Sequence, residues 1–322
     1  MDPKRIFTVV ENDFSAVNQL ILEQLHSDVD LVETISQYLV DSGGKRIRPL
    51  LVLLAAKCCD YQGKDHILLA TIIEFLHTAT LLHDDVVDIS ELRRGRPTAN
   101  AVFGNAPSVL VGDFLYSRAF QMLVDLGDLR IMAIMARCTN QIAEGEVKQL
   151  TNARNPDLTE QQYRDVIQAK TAILFEAAAE TAGILSAASE DQQHALKNYG
   201  AHLGMTFQLI DDLLDYDGDV EQMGKNVGDD LAEGKMTLPL IHTLQHCSPG
   251  NAALIRNAVL ENRPQDAKKI IALVKDSDAL NYTLHKAEFE ADMAIQQLDN
   301  LPNNNFRTAL KDLAKQALNR SK

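Results

Sequence analysis

The sequence repeats one acidic spacing, Asp-Asp-x-x-Asp, inside two stretches that are otherwise apolar: LLHDDVVD, ending at Asp88, and QLIDDLLD, ending at Asp215. On a helix, residues four positions apart share a face, so the first and last aspartates of each copy stack. Stacked carboxylates repel, and apolar neighbours raise the free energy of their ionised forms. Two such clusters are expected to hold divalent cations between them, and hard oxygen ligands favour Mg²⁺. The repetition disfavours the alternative of two solvated acidic helix faces.

Helical periodicity dominates the chain, and strand signals are scarce. The predicted helices are rich in Ala, Leu, Ile, Glu and Gln, which favour helices; they are Val17–Leu25, Leu110–Leu126, Arg130–Leu150, Tyr163–Ser186, Ala195–Tyr216 and Tyr282–Leu298. Short breaks separate them at 42–44, 95–97, 152–157 and 217–234, and Thr159 is a predicted helix N-cap. No linker or charge block divides the chain, so residues 1–322 are expected to form one all-α domain. Both aspartate motifs fall near the C-terminal ends of their helices, each followed by a glycine-containing basic loop, so both are expected to face one cavity mouth.

Composition excludes several other classes of protein. The formal charge of −14 argues against a nucleic-acid surface and against binding anionic lipid by charge alone. No apolar run approaches the roughly 18 residues of a membrane span, and the N-terminal residues lack the apolar core of a secretory signal. Cysteines occur without a CxxC pair, which favours reduced thiols in a cytoplasmic protein; they are Cys58, Cys59, Cys138 and Cys247.

Three basic segments contain or adjoin glycine: GGKRIRP at 43–49, RRGRP at 93–97, and GKNVGDD with EGK between 224 and 235. Glycine lets the backbone approach an anion, and Lys and Arg side chains then bind its oxygens. A solvated basic loop is the alternative for each segment. Together with two acidic clusters, the segments predict a site for two polyphosphate groups, one held through metal ions and the other directly by cations.

Five segments between residue 43 and about residue 241 resemble, in order, the signature blocks of the trans-polyprenyl diphosphate synthases. They are GGKRIRPLL, LLHDDVVDISELRRGRPTAN, KTAILFEAAAE, FQLIDDLLDYDGD and GKNVGDDLAEGKMTLPLI. The chain is most similar to bacterial members whose octaprenyl product becomes the side chain of ubiquinone or menaquinone. The resemblance implies an isoprenoid synthase-type helical bundle around a deep apolar cavity. It also implies a homodimeric, Mg²⁺-dependent prenyltransferase that joins isopentenyl diphosphate to an allylic diphosphate such as farnesyl diphosphate.

The resemblance also implies a role for individual residues. Metal ligands would be Asp84, Asp85, Asp88, Asp211, Asp212 and Asp215; all but Asp215 are also candidate catalytic residues, together with Lys170. Contacts to the allylic diphosphate would come from Arg93, Lys170, Thr171, Gln208, Lys225 and Lys235. Contacts to isopentenyl diphosphate would come from Lys45, Arg48, His77 and Arg94. For His77, a satisfied core histidine is the alternative.

Product length is expected to depend on the cavity wall before the first motif. Ala79 and Thr80 stand five and four residues before Asp84, where short-chain relatives often carry a bulky aromatic residue. Their small size predicts a deep channel and a long product; close helix packing is the alternative. Candidate floor residues are Met122, Leu123, Leu126 and Met135. The sequence leaves open whether the product has seven, eight or nine isoprene units, and at most transient membrane contact is expected for its release.

Three other functions fit part of the pattern. A class I terpene cyclase also carries DDxxD, but its second metal motif normally differs from a second DDxxD. A di-iron protein would use Glu-x-x-His pairs, and Glu23 with His26 and Glu74 with His77 have that spacing. A non-catalytic subunit of a two-protein synthase would typically lack aspartates that are present here. Elongation of a prenyl chain is the predicted function that accounts for both motifs and the basic segments.

Overall fold

The computed structural model describes residues 4–93, 95–217, 228–261 and 263–319. The first helices are α1 (Lys4–Thr8), α2 (Glu11–Gln24), α3 (Asp30–Asp41), α4 (Ile47–Cys58), α5 (Asp65–Val87), α6 (Ala99–Phe103), α7 (Asn105–Leu126) and α8 (Leu129–Asn152). Then come α9 (Glu160–Ile167), α10 (Ile173–Leu185), α11 (Glu190–Asp217), α12 (Asp229–Ala232), α13 (Leu238–His246), α14 (Pro249–Glu261), α15 (Ala267–Asp276), α16 (Ala279–Gln297) and α17 (Asn305–Leu318). Short 3₁₀ turns occur at Pro264–Asp266 and Leu298–Asn300.

Strand structure in the described residues is confined to a two-stranded hairpin after the first aspartate motif. Strand β1 (Leu92–Arg93) pairs antiparallel with β2 (Arg96–Pro97). The sequence predicted only a break at 95–97, because two-residue strands leave no periodic signal. The hairpin is short, but it brings a basic side chain back towards the end of α5.

Each of the six predicted helices is found as helical structure, with ends shifted by a few residues. One differs in form, because the segment predicted as Tyr163–Ser186 comprises α9, a π-turn at Gln168–Ala172, and α10. The predicted cap is confirmed, since the Thr159 hydroxyl accepts a hydrogen bond from the Gln162 backbone N–H in a capping box. Such a box satisfies backbone donors that a helix start otherwise leaves unpaired.

The core explains why helices dominate. Helix α4 is buried on nearly every side: Leu50 through Ala56 is the apolar run noted in the sequence, and it is almost fully shielded from solvent. Two clusters of buried side chains fill the interior, and α11 contributes to both, with Tyr199 in the first and Tyr216 in the second. A helix shared by both clusters supports the expectation of one domain, which stays a prediction.

Helix α5 is long and apolar on average, which the absence of a long uninterrupted apolar run did not predict. It has 23 residues and is apolar enough, by length and composition, to cross a membrane, although no uninterrupted apolar run of that length exists. More than half of its most apolar window is buried inside the protein. Its apolar character therefore reflects burial within a helical bundle. The first aspartate motif lies at the end of this buried helix.

Candidate active site

A cavity of about 680 Å³ lies where α5 and α11 end, between α4, α8, α9 and the segment around α12. It brings most of the predicted site residues together. Those lining it are Lys45, Arg48, His77, Thr80, Asp84, Asp88, Arg93, Lys170, Thr171, Gln208, Asp211, Asp212, Asp215 and Lys235. Arg94 and Lys225 lie outside the described residues. Residues up to 190 positions apart in the sequence thus line one cavity, as predicted from the two aspartate motifs and the basic segments.

The first motif presents its outer aspartates to two lysines. Asp84 lies in the last turn of α5, and Asp88 is the C-cap residue of that helix. The Asp84 Oδ2 atom lies 3.5 Å from Lys170 Nζ, and the Asp88 Oδ2 atom lies 2.9 Å from Lys235 Nζ. Burial raises the pKa of Asp84, an effect that Lys170 opposes. Both carboxylates are therefore neutralised in part by cations from distant segments.

Asp85 does not line this cavity; its buried carboxylate is held by Arg93 of the hairpin. Arg93 Nε and Nη2 donate to Asp85 Oδ1 at 2.9 Å and 2.6 Å. Burial alone would lower the pKa of Arg93, but its hydrogen bonds to Asp85 raise it. Arg93 lines the cavity, so Asp85 is placed to hold both the hairpin and the Arg93 guanidinium in position. A metal-binding role for Asp85 stays a prediction.

The second motif lies near the end of α11, and its middle aspartate is the most enclosed. Asp212 accepts hydrogen bonds from the Tyr163 hydroxyl and, at 2.7 Å, from Gln208 Nε2. Burial raises the pKa of Asp212 to about 8, and the neighbouring Asp230 adds to the effect. Asp215 is also buried. Tyr163 was missed by sequence reasoning, because a buried tyrosine on an amphipathic helix looks like any core residue.

The π-turn between α9 and α10 carries Lys170 and Thr171 into the cavity. The Thr171 hydroxyl donates to Gln208 Oε1 at 3.0 Å, and Gln208 in turn donates to Asp212. This chain of hydrogen bonds links the π-turn to the second motif. A single π-turn inside a helix is frequently found at functional sites, and here it lets two consecutive residues serve the same cavity.

The basic segment at the start of α4 forms a second part of the cavity wall. Arg48 Nη1 lies 3.0 Å from His77 Nε2, and the guanidinium stacks 4.3 Å above the centroid of the Phe175 ring. Lys45 lines the same cavity. His77 is half-buried and lines the cavity, so it is not an enclosed core histidine. The grouping fits a second anion site separate from the aspartates.

The predicted chain-length residues lie at different depths. Thr80 lines the cavity, and its hydroxyl donates to the His77 carbonyl at 2.8 Å. The others pack in the core or against it and are not part of the described cavity lining: Ala79, Met122, Leu123, Leu126 and Met135. Their control of product length stays a prediction.

Two glutamates that pair with the cavity lysines were not predicted; Glu146 lines the cavity, and Glu233 contacts Lys235 beside it. Glu146 Oε2 lies 2.7 Å from Lys170 Nζ, and Glu233 Oε2 lies 2.5 Å from Lys235 Nζ. Burial, followed by the charge of Asp84, raises the pKa of Glu146 to about 7; burial likewise raises the pKa of Glu233. The EGK segment was noted only for its lysine, and Glu146 sits in a predicted helix with no distinguishing spacing.

The side chains present have the chemistry that Mg²⁺ requires, since two walls of one cavity supply carboxylate oxygens. Among the described residues, no three His, Cys, Asp or Glu side chains converge closely enough to hold an ion as they stand. Asp84 and Asp88 are instead engaged by lysines. Binding a divalent cation there requires these aspartates to exchange their lysine partners for the ion.

The di-iron alternative is not supported by the geometry. His26 is exposed, and its Nδ1 lies 2.6 Å from Glu33, which is not a residue of the proposed pair. His77 is engaged by Arg48 in the cavity wall. The two Glu-x-x-His matches therefore have unrelated environments.

The helical bundle brings both aspartate motifs and several lysine and arginine side chains to one cavity. Residues 29–276 match the family model described as Polyprenyl synthetase. The chain belongs to this family. It is therefore a prenyltransferase with the all-α isoprenoid synthase fold, as predicted from the sequence.

Known relatives match the chain along its whole length. It is 50% identical over 323 residues to an octaprenyl diphosphate synthase of Escherichia coli K12, covering 100% of both chains. It is 46% identical to a geranyl-diphosphate-specific all-trans-nonaprenyl-diphosphate synthase of Rhodobacter capsulatus, covering 98% of this chain and 97% of the relative. A Caulobacter crescentus polyprenyl synthase, crystallised with calcium and isoprenyl diphosphate, superposes with a TM-score of 0.96 at 41% identity, covering 100% of this chain and 98% of that one.

Proposed function

We propose that this chain is a long-chain trans-polyprenyl diphosphate synthase that makes an octaprenyl product for a quinone side chain. It would add isopentenyl diphosphate units head-to-tail to an allylic diphosphate such as farnesyl diphosphate. The observation that carries the proposal is the meeting of both aspartate motifs and the Lys45–Arg48–His77 group in one cavity. Such a cavity can hold two diphosphates side by side, which a cyclase acting on one diphosphate does not need.

The allylic diphosphate is proposed to lie between the two aspartate motifs. Lys170, Lys235 and Arg93 project towards this space and would bind the oxygens that gain charge as the allylic C–O bond breaks. Thr171 and Gln208, already hydrogen-bonded to each other, would orient the same group. Mg²⁺ bound by the aspartates would neutralise further charge on the departing pyrophosphate.

Isopentenyl diphosphate is proposed to bind beside Lys45, Arg48 and His77. Isopentenyl diphosphate held there would present its double bond to the allylic cation. A new C–C bond would form, and the resulting carbocation would lose a proton to the released pyrophosphate. The apolar helix walls exclude water, which would otherwise trap the cation as an alcohol. Ionisation needs no protein nucleophile, so a Ser-His-Asp or Cys-His arrangement is not required.

The choice of Mg²⁺ rests on the donor set of the chain, all carboxylate oxygen, and on the diphosphates that would complete its coordination. The calcium in the Caulobacter structure supports a divalent cation in this fold. The proposed ligands lining the cavity are Asp84, Asp88, Asp211, Asp212 and Asp215. The octaprenyl length rests on the Escherichia coli relative, while the Rhodobacter relative makes a nine-unit chain at similar identity.

We also propose a homodimer in the cytoplasm, with at most transient membrane contact for product release. Apolar side chains are exposed on α7 and α8, including Leu110, Val124, Val147 and Leu150. Burying such residues against a second copy would remove apolar surface from water. Light scattering on the purified chain tests this, and a monomer at micromolar concentration would contradict it.

The central test is incubation with Mg²⁺, isopentenyl diphosphate and farnesyl diphosphate, followed by chromatography of the dephosphorylated products. An eight-unit alcohol is expected, and Asp211→Asn should remove it. The matched control Asp217→Asn makes the same charge change at the exposed end of α11 and should retain activity. No product longer than the primer would contradict chain elongation, and hydrocarbon formed without isopentenyl diphosphate would favour a cyclase.

A further inference from the structure

Two lysines of the cavity are held in the same way. Lys170 lies between Asp84 and Glu146, and Lys235 lies between Asp88 and Glu233, with the charge of Asp230 also acting on Lys235. In each case one partner belongs to the first aspartate motif and the other is a glutamate outside both motifs. The glutamate is the nearer partner both times: 2.7 Å against 3.5 Å for Lys170, and 2.5 Å against 2.9 Å for Lys235.

Local backbone structure builds the first pair. Glu146 follows Gly145 on α8, and a Cβ atom at Gly145 would lie only 2.9 Å from the Lys170 backbone nitrogen. The absence of a side chain there lets α8 approach the π-turn closely. Glu146 is consequently set directly against the lysine that the π-turn presents.

The second pair depends on a turn fixed to the end of the same helix. Gly234, between Glu233 and Lys235, has a φ of +77°, which favours glycine. Its carbonyl accepts a hydrogen bond from the Arg154 backbone N–H at 2.8 Å, just after α8 ends. Helix α8 therefore helps to position both glutamates, and through them both lysines.

We propose that Glu146 and Glu233 are positioning residues that keep Lys170 and Lys235 from closing fully onto Asp84 and Asp88. An ammonium group that paired only with an aspartate would compete with a divalent cation for that carboxylate. With the glutamate as the nearer partner, the lysine stays over the cavity while the aspartate can turn to the ion. This inference rests on the proposed function and gives a role to two carboxylates outside the motifs, Glu146 in the cavity lining and Glu233 beside it.

The burial of the four side chains fits this role. Lys170 and Lys235 are 18% and 20% exposed, and both glutamates are 29% exposed. At this depth ion pairs are screened less than on the surface, so the choice of partner affects competition with a cation. Each glutamate can stay paired with its lysine when the aspartate turns to the metal ion.

The test measures binding of inorganic pyrophosphate by calorimetry over a series of Mg²⁺ concentrations. For Glu146→Gln and for Glu233→Gln, the Mg²⁺ concentration giving half-maximal pyrophosphate binding should rise about three- to tenfold. Binding should recover to the wild-type level at saturating Mg²⁺, because the ion then outcompetes the lysine. In the prenyl-transfer assay the same variants should show a higher Mg²⁺ requirement and a kcat near the wild-type value at saturation.

Glu146→Asp and Glu233→Asp separate positioning from charge. Each keeps the negative charge but is one methylene shorter, so it should shift the Mg²⁺ requirement in the same direction as Gln. Glu180→Gln is the matched control, because Lys197 lies 3.4 Å from both Glu176 and Glu180 outside the active cavity. It should stay within about twofold of the wild type.

Circular dichroism establishes that each variant is folded. Unshifted Gln variants would overturn the positioning role, and so would Asp variants that match the wild type while Gln variants do not. A wild-type chain without Mg²⁺-dependent pyrophosphate binding would instead contradict the proposed function itself. The two failures are therefore distinguishable.

Discussion

Asp85→Asn should destabilise the protein in the absence of metal, because Asp85 holds the hairpin that follows α5. Its carboxylate is 6% exposed and accepts two short hydrogen bonds from the Arg93 guanidinium. Hydrogen bonds to charged groups contribute roughly 1.5–3 kcal/mol each. Asparagine retains one acceptor oxygen, and Arg93, at 30% exposure, can recover part of its hydration. The net loss is therefore about 2 kcal/mol, or roughly a 30-fold change in the unfolding equilibrium constant.

Urea unfolding in a chelating buffer measures this loss. Asp84→Asn is the matched control, because it removes the same charge one residue earlier and relieves a carboxylate whose pKa is raised by burial; its free energy of unfolding should change by less than about 1 kcal/mol. Adding Arg93→Gln to Asp85→Asn should cost little more, since the pair is already broken. Should Asp85→Asn leave metal-free stability intact and change only the Mg²⁺ requirement, Asp85 is a metal ligand and the anchoring argument is wrong.

Tyrosine at Ala79 or at Thr80 should shorten the product, and chromatography of both variants shows which position borders the growing chain; unchanged products from both would contradict the small-residue argument. Glu290→Gln should lower stability by about 1–3 kcal/mol at pH 7, because buried Glu290 accepts hydrogen bonds from Arg164 and His202. Although burial alone would raise the pKa of Glu290, these bonds lower it below 4.5. The extra free energy of unfolding of the wild type is therefore complete above pH 4.5 and is lost as the pH falls through the folded-state pKa. Exposed Glu288→Gln is the control, and a stability difference that persists in strong acid would refute the account. Mg²⁺ with pyrophosphate should raise the melting temperature. At a hundredfold excess over Kd, the added free energy of unfolding is about 2.7 kcal/mol. EDTA should reverse the effect.

Helical elements and the shared cavity could be predicted from the sequence because their signals are local and repeated. The two aspartate motifs occur in apolar helices, and Thr159 announces a helix start with its own side chain. Spacing along a helix reports which residues share a face. The position of both motifs near the C-terminal ends of their helices, each before a glycine-containing basic loop, predicted that they line one cavity.

Partner choice could not be predicted in the same way. The motif does not distinguish Asp84 from Asp85. In the structure, however, Asp84 faces Lys170 and Asp85 faces Arg93. Tyr163 reaches Asp212 from 49 residues away, and Glu146 reaches Lys170 from 24 residues away. Such pairs depend on how helices pack, and neither residue carries a local pattern that distinguishes it from core or surface positions.

The π-turn at Gln168–Ala172 makes the site sensitive to a change in chain length. A regular α-helix advances about 100° per residue, so a one-residue deletion there could join α9 and α10 into one continuous helix. Backbone hydrogen bonding would then be complete, and total helicity would hardly change. Because a π-turn holds one more residue than an α-turn, α9 and α10 would keep nearly the same relative orientation, and Tyr163 would still face Asp212. The residues of the π-turn itself would be repositioned, taking Lys170 away from Glu146 or Thr171 away from Gln208. A variant could thus remain fully helical while its substrate-binding groups no longer face one another.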